Sequence, residues 1–290
     1  MPPLLSFGVC SNRPHNFPNV GSLVDVVGDD DEVILVADLE ATAAESALLD
    51  DLSARGVNVI NNGSNRGLSF SRNQVLAKCG HRHLVYVDDD LALVPETVES
   101  IREAVGSGAN IVGVWLRPSF SVPRPWWLTG GQYHYLGVHH ALAQAKTWGA
   151  CMAVDVDLAR RADITFREEL GRRGRSLQSG DDTTFLNELR SAGAVERFLP
   201  DDVAYHAVGA ERTRPGYLLR RAWWQGRSEV RRAGAMTSLG KEWRRGVAQG
   251  PDAAGTGLRY TLACVYTGAV ASGIATEFGF RAAQRWFGRG

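Results

Sequence analysis

A chain of 290 residues with 44% hydrophobic content can bury a substantial core, which excludes a peptide-sized binding module and suits one large α/β domain or two closely joined halves. Its 32 basic and 32 acidic residues cancel, so there is no global electrostatic pull toward nucleic acid. Acidic residues concentrate before about Asp90 and arginines crowd the stretch from Arg160 to Arg245, predicting a basic face in the second half suited to anionic substrate or lipid headgroups.

Cys10, Cys79, Cys151 and Cys264 lie far apart, without the paired spacing of a zinc site or a redox motif. They are expected as buried thiols in a reducing compartment. Met1-Pro2-Pro3-Leu4-Leu5 has neither the basic n-region nor the long apolar run of a signal peptide, so a cytoplasmic location is expected.

The first half alternates short apolar strands with helix-length segments, the pattern of a mainly parallel sheet covered by helices. Leu4 to Cys10 is the first predicted strand, ending in the turn Ser11-Asn12-Arg13-Pro14. Val20, Leu23, Val24 and Val27 then recur at helical spacing behind Pro18. Val33 to Ala37, Val57 to Ile60 and Leu84 to Val87 are further strands, with a helix over Ala41 to Arg55. Pro95 opens a helix with Val98, Ile101 and Val105 on one face, and Ile111 to Leu116 is the next strand.

From Arg117 to Gly137 the periodicity is lost among prolines, glycines and tryptophans, which predicts a functional loop with exposed aromatics. Trp126 and Trp127 in it are candidates to stack on an acceptor, although packing under a long loop accounts for part of this cluster equally well. A strand over Thr147 to Val156 follows, then helices over Asp182 to Ser191 and over the arginine- and tryptophan-rich Tyr217 to Ala233. The apolar tail from Tyr260 to Ala275 is shorter than the ~20 residues of a spanning helix. Together with Arg220, Arg221, Trp223, Trp224 and Arg227 it is a candidate for peripheral membrane contact or a homodimer surface, although an ordinary buried tryptophan face with solvated arginines accounts for this helix better.

The densest chemistry lies in Val85-Tyr86-Val87-Asp88-Asp89-Asp90, a buried strand delivering three carboxylates at its C-terminal end, where open α/β sheets bind ligands. Three adjacent like charges repel, and a hard cation, Mn²⁺ or Mg²⁺, held by one or two carboxylates, phosphate oxygens and water would offset them. Alternation along an extended strand sets Asp88 and Asp90 on one side and Asp89 on the other, making Asp90 the expected metal ligand and Asp88 its neighbour toward ribose or sugar. A solvated acidic turn accounts for the triplet alone equally well.

One strand earlier, Asn65-Arg66-Gly67-Leu68-Ser69-Phe70-Ser71-Arg72-Asn73 resembles the N-x-G-x-(S/A)-x-(A/S)-R-N signature of family 2 glycosyltransferases, which leads through a helix into a strand ending in D-x-D. Val9-Cys10-Ser11-Asn12-Arg13-Pro14 is similar to that family's first strand and turn, with Cys-Ser for the usual Pro-Thr, and Val36-Ala37-Asp38 to its base-contacting V-D-D segment. Trp148-Gly149-Ala150-Cys151-Met152-Ala153-Val154 resembles the acceptor-side strand, Phe166 to Leu170 the F-D-E-x-L segment, and Gly180-Asp181-Asp182-Thr183 the G-E-D motif carrying the catalytic base.

The resemblance covers about residues 4 to 230. It implies a GT-A fold, Rossmann-like, with a mixed, mainly parallel sheet flanked by helices and a helical C-terminal extension. The implied divisions are a nucleotide-sugar half over 1–116, an acceptor and catalytic-base half over 117–235, and the extension over 236–290. Implied donor contacts are Ser11, Asn12, Arg13, Asp38, Asn65, Arg72, Asp88 and Asp89; His206 joins Asp90 and Asp88 at the metal, and Trp148 and Gly149 face the acceptor, while bracing of the acidic cluster by Arg72, capping of the next helix by Asp38 and a structural role for His206 are the alternatives. Either Asp181 or Asp182 is the base, since Asp181 stands where Glu is common.

The implied activity is inverting transfer of a hexosyl or N-acetylhexosaminyl group from a UDP- or dTDP-sugar to a hydroxyl of a small-molecule, lipid-linked or carrier-linked acceptor. The family's Q-x-x-R-W processivity motif is absent from its place, where Arg221-Ala222-Trp223-Trp224-Gln225 stands, so a single addition is expected. Ala, Arg and Gly usage points to a GC-rich bacterial source. Two rivals are a sugar-phosphate nucleotidyltransferase, which needs a glycine- and lysine-rich loop after the first strand, and a non-catalytic nucleotide-sugar-binding or scaffold protein, which predicts loss of the acidic helix start.

Overall fold

The computed structural model describes residues 2–141, 145–233, 239–240, 243–244 and 256–287. Parts of the expected C-terminal extension therefore lie outside the described residues. In chain order the elements are β1 (Leu5–Ser11), α1 (Phe17–Val24), β2 (Glu32–Ala37), α2 (Ala43–Ala54), β3 (Asn58–Asn61), α3 (Leu68–Lys78), β4 (His83–Asp88), β5 (Leu91–Ala92) and α4 (Pro95–Gly106). There follow β6 (Ile111–Phe120), α5 (Tyr133–Leu136), β7 (Cys151–Asp155), α6 (Val156–Arg161), α7 (Asp181–Ser191), β8 (Glu196–Val208), α8 (Pro215–Ala233) and α9 (Thr256–Phe287).

Eight strands form one mixed sheet in the order β3-β2-β1-β4-β7-β6-β8-β5. Its β3-β2-β1-β4 run is parallel, whereas β7 joins both β4 and β6 antiparallel. Strand alternation divides the core into two layers. Leu5, Phe7, Val9, Val85 and Val87 face one side with α1, α2 and α4, and Ile34, Val36, Leu84, Tyr86 and Met152 face the other with α3 and α7. Helix α2 is fixed at its start by a capping box, Thr42 Oγ1 accepting from the Glu45 amide while the Glu45 carboxylate accepts from the Thr42 amide.

The register that matters for function pairs Ser11 with Ala37 and Cys10 with Asp88. The C-terminal ends of β1, β2 and β4 thus lie side by side, and Arg13, Asp38 and the acidic run begin at one sheet edge.

Two elements differ from expectation. Strand β6 continues to Phe120, and Gly130–Gln132 and α5 order part of the predicted loop. Strand β8, thirteen residues long, carries Glu196, Arg197, Pro200, Asp201 and Asp202, residues that weaken any strand signal, and buries only alternate residues toward its end. The thiols also divide: Cys79 and Cys151 are buried and Cys10 partly so, but Cys264 is exposed, because it lies on the outer face of α9.

The chain separates into two compact units interleaved in sequence, one made of 1–118, 145–174 and 181–207, the other of 119–144, 175–180 and 208–290. In the second unit α8 and α9 cross at Gly226 and Gly273. A Cβ on the first would collide with the Val270 carbonyl and on the second with the Trp223 carbonyl, so only glycine allows this approach. No helix among the described residues is long and apolar enough to cross a membrane.

Candidate active site

The site lies in the first unit and is organised by Arg72, which α3 buries to 4% exposure. Its Nη1 donates to Asp181 Oδ2 at 2.8 Å, while Nη2 donates to Asp88 Oδ1 at 3.2 Å and to the Gly149 carbonyl at 2.9 Å. One guanidinium therefore ties the end of β4, the approach to β7 and the start of α7 together. Such a fork suits two carboxylates better than a lysine would. Asp181 also accepts from Ser69 Oγ at 3.3 Å. Ser69 and Arg72 share a helix face at i, i+3, so that spacing is the sequence signal that could have revealed the serine.

The two carboxylates opening α7 differ. Burial pushes Asp181 above the usual Asp range despite Arg72. Burial also pushes Asp182 up, but the Arg72 charge and the Gly149 and Thr183 amides outweigh it and hold that carboxyl below the usual range. The amides donate at 2.9 Å from Gly149 and 2.7 Å from Thr183. Asp182 is half-buried and Asp181 buried. At neutral pH the half-open group is thus a ready proton acceptor, and its buried neighbour is bound up with Arg72 and Ser69.

The peptide before β7 fits between these groups only without a side chain. A Cβ at Gly149 would stand 2.6 Å from Asp182 Cβ and 3.0 Å from Arg72 Nη2. Trp148 beside it is half-buried.

At the acidic run the expected alternation stops at Asp88, because β4 ends there and Asp89 and Asp90 form a turn. Asp88 turns to Arg72. Asp89 accepts from Ser11 Oγ at 2.5 Å and its carbonyl from Asn19 at 2.8 Å; burial raises this carboxyl despite the Arg13 charge. Asp90 Oδ1 lies 2.9 Å from His206 Nε2, brought in by the pairing of β5 with β8, and Asp90 Oδ2 lies 3.4 Å from Arg13. Asp90 and His206 are therefore together, with Asp88 on a different partner. Among the described residues no group of three His, Cys, Asp or Glu side chains is placed to hold a metal ion.

Asp38 is buried, with both oxygens engaged in holding a loop. Oδ1 accepts from the Arg66 amide and from Asn62, and Oδ2 from the Gly67 amide, each at 2.8 Å. Gly67 has φ +107°, a backbone conformation that needs glycine. Asn65 works in the same loop, donating to the Asp38 carbonyl and accepting from the Gly174 amide. Asn73 locks to the Phe166 backbone through two bonds of 2.8 and 2.9 Å. Asn62 and Asn19 lay outside the predicted site. Cys10 sits under the site, and burial raises its thiol far enough to keep it protonated at neutral pH.

Trp126 and Trp127 belong to the second unit. Trp126 is 79% exposed, and Trp127 packs partly against the Leu128, Tyr135 and Leu218 cluster.

Comparison with known proteins agrees with this fold. The chain is 25% identical over 166 residues to the succinoglycan biosynthesis protein ExoM of Rhizobium meliloti (strain 1021), a match covering 57% of this chain and 52% of that protein. The chain thus spans about half the length of that curated relative. Among solved structures, the mannosyltransferase PcManGT from Pyrobaculum calidifontis, in complex with GDP-Man and Mn²⁺, superimposes with TM-score 0.56 at 16% identity, over 98% of this chain and 76% of that one. Residues 1–349 of S. aureus TarS do so with TM-score 0.54 at 14% identity, over 97% and 92%. Both likenesses establish the GT-A-like fold. The profile of Glycosyl transferase family 2 matches residues 18–165, just over half of the chain, and the protein therefore belongs to that family of sugar-transferring enzymes.

Proposed function

We propose that the chain is an inverting glycosyltransferase, using Asp182 as base, that makes a single addition of a hexosyl or N-acetylhexosaminyl group. The donor is a UDP- or dTDP-sugar, and the acceptor hydroxyl belongs to a small, lipid-linked or carrier-linked molecule. Work in the cytoplasm suits its unpaired cysteines. The observation that carries the proposal is the half-buried Asp182, held below the usual Asp range at the start of α7.

The acceptor oxygen attacks the anomeric carbon as its proton passes to Asp182. The bond from that carbon to the diphosphate breaks, its electron pair leaves with the nucleoside diphosphate, and the configuration inverts. The Gly149 amide holds the base, Arg72 braces it through the Gly149 carbonyl and the neighbouring Asp181, and Asp88, at the sheet edge beside Arg72, is assigned to the donor side.

Asp90 and His206, 2.9 Å apart, would be the two side-chain donors to a divalent ion, Mn²⁺ or Mg²⁺, with the remaining positions left to phosphate oxygens and water. Such an ion neutralises charge on the leaving diphosphate when bound. The PcManGT complex with GDP-Man and Mn²⁺ supports this assignment by analogy of fold.

The test is calorimetric titration with UDP, dTDP and GDP, each with and without Mn²⁺, on the wild type and on Asp90→Ala. Metal-dependent binding of a uridine or thymidine nucleotide, lost in the variant, is expected. Absence of binding under every condition would return the chain to a non-catalytic role.

A further inference from the structure

The neutral total charge hides a division between the two units. The first carries 16 basic residues against 27 acidic, a net −11, and the second 16 against 5, a net +11. Within the second unit, α9 turns an uncharged face to solvent. Between Arg259 and Arg281 its sole charged residue is Glu277, and α8 removes that charge from the surface: Glu277 is 3% exposed and accepts from Arg227 Nε and Arg231 Nε, both at 2.9 Å. Tyr260, Val265, Phe278 and Phe280 are 51%, 47%, 41% and 49% exposed along the same helix. At 1.5 Å per residue the 32 residues of α9 reach about 48 Å, yet no described helix is apolar enough to cross a bilayer.

A long helix with aromatic residues outward, arginines at the ends of its uncharged stretch, and membership of a unit whose sequence is strongly cationic has the chemistry of a segment lying in the plane of a lipid headgroup layer. A second copy of the chain is the other natural cover for such a face, but pairing two second units sets +11 against +11. An anionic surface neutralises that charge instead. We propose that the second unit docks the protein on anionic lipid headgroups, with Tyr260 and Phe278, which lie about five turns apart on one face of α9, entering the interfacial layer. Transfer activity is not required for this docking.

The full chain would be sedimented with vesicles of phosphatidylcholine alone and with vesicles containing about one-third phosphatidylglycerol. Roughly 10-fold more protein bound to the anionic vesicles is expected, falling steeply as salt rises toward about 0.5 M. The Phe278→Ser variant and, separately, Tyr260→Ser should each bind several-fold less with unchanged circular dichroism. Tyr260→Ser remains informative if Phe278→Ser fails to fold. Equal binding to both vesicle types, or no binding, overturns the proposal. So does a dimer in sedimentation equilibrium that Tyr260→Ser dissolves, which would assign the face to a second copy.

Discussion

Arg72 Nη1 lies 2.8 Å from Asp181 Oδ2, and each side chain is only 5% exposed. This contact binds α3 to the start of α7, so the base-bearing turn is held from the side of the sheet edge. Removing one member of a buried pair leaves an uncompensated charge, a loss of about 3–5 kcal/mol. Arg72→Met should therefore destabilise the protein by that order in chemical denaturation. The loss should be smaller at pH 5 than at pH 8. Without the guanidinium, burial and the neighbouring Asp182 charge raise the folded pKa of Asp181 further above the unfolded value. The folded variant then binds the extra proton, and stability falls as pH rises through that window. A pH-independent loss would show that the contact is not ionic in origin.

Asp182 and Asp181 separate by what each substitution does to rate. Asp182→Asn should lower kcat by about 10²–10⁴-fold with donor affinity kept, the signature of a missing base. Because this carboxyl is held below the usual Asp range, it stays ionised through neutral pH, and its stabilising contribution is lost only as pH falls through that depressed value. The wild-type kcat should therefore show no acid limb at or above the ordinary Asp range. An acid limb near neutrality would shift the assignment to the raised Asp181.

Gly149→Ala tests the peptide between them. The new methyl would meet Asp182 Cβ at 2.6 Å and the Arg72 guanidinium at 3.0 and 3.1 Å, so either the base or its brace must move. A displacement on the order of 1 Å in a positioned group costs about 10²-fold in rate. Gly80→Ala, whose added Cβ would meet only Glu32 at 3.7 Å, is the control and should keep full rate. Equal rates for the two variants would mean that the approach of Gly149 to Asp182 has no bearing on turnover.

Much of this arrangement was legible in the sequence. The four parallel strands carry Val, Ile and Leu in runs bounded by turn residues, and the resemblance of Asn65 to Asn73 and of Gly180 to Thr183 to family 2 motifs named Arg72, Asp181 and Asp182. Partners set by tertiary contact were not legible. Asp38 reads as a ligand-facing acid at a strand end, yet its oxygens turn inward to the Arg66 and Gly67 amides, a choice fixed by loop geometry. The Asp88 and Asp90 side chains take different partners because a turn at Asp89 breaks the strand period. Strand β8, which brings His206 to Asp90, was hidden by its charged and proline-bearing sequence.

The role of Asp38 follows from those amides. Asp38→Asn replaces one acceptor oxygen with a donor that faces backbone N–H groups, leaving a buried amide unsatisfied at about 1–3 kcal/mol. Its melting temperature should fall and nucleotide affinity should weaken along with it, because the loop from Asn65 to Gly67 loosens. An unchanged melting temperature with lost affinity would instead give Asp38 a direct contact to the nucleotide.

In the second unit Glu277 is the counterpart of Asp181, with the opposite sign. Burial raises its carboxyl, but hydrogen bonds from Arg231 and Arg227 outweigh this and hold it below the usual Glu range. A depressed folded pKa contributes stability above the unfolded value, and the contribution is lost as pH falls through the folded one. Arg227 and Arg231 are partly exposed at 14% and 26%, so Glu277→Gln should cost about 1.5–3 kcal/mol, the range of charged hydrogen bonds, rather than that of a fully buried pair. The difference between wild type and variant should be full at pH 7 and shrink as the solution is taken below the ordinary Glu range. Thermal melts of the two proteins across that range measure it; no difference at any pH would mean that Glu277 stabilises the α8–α9 pair by packing alone.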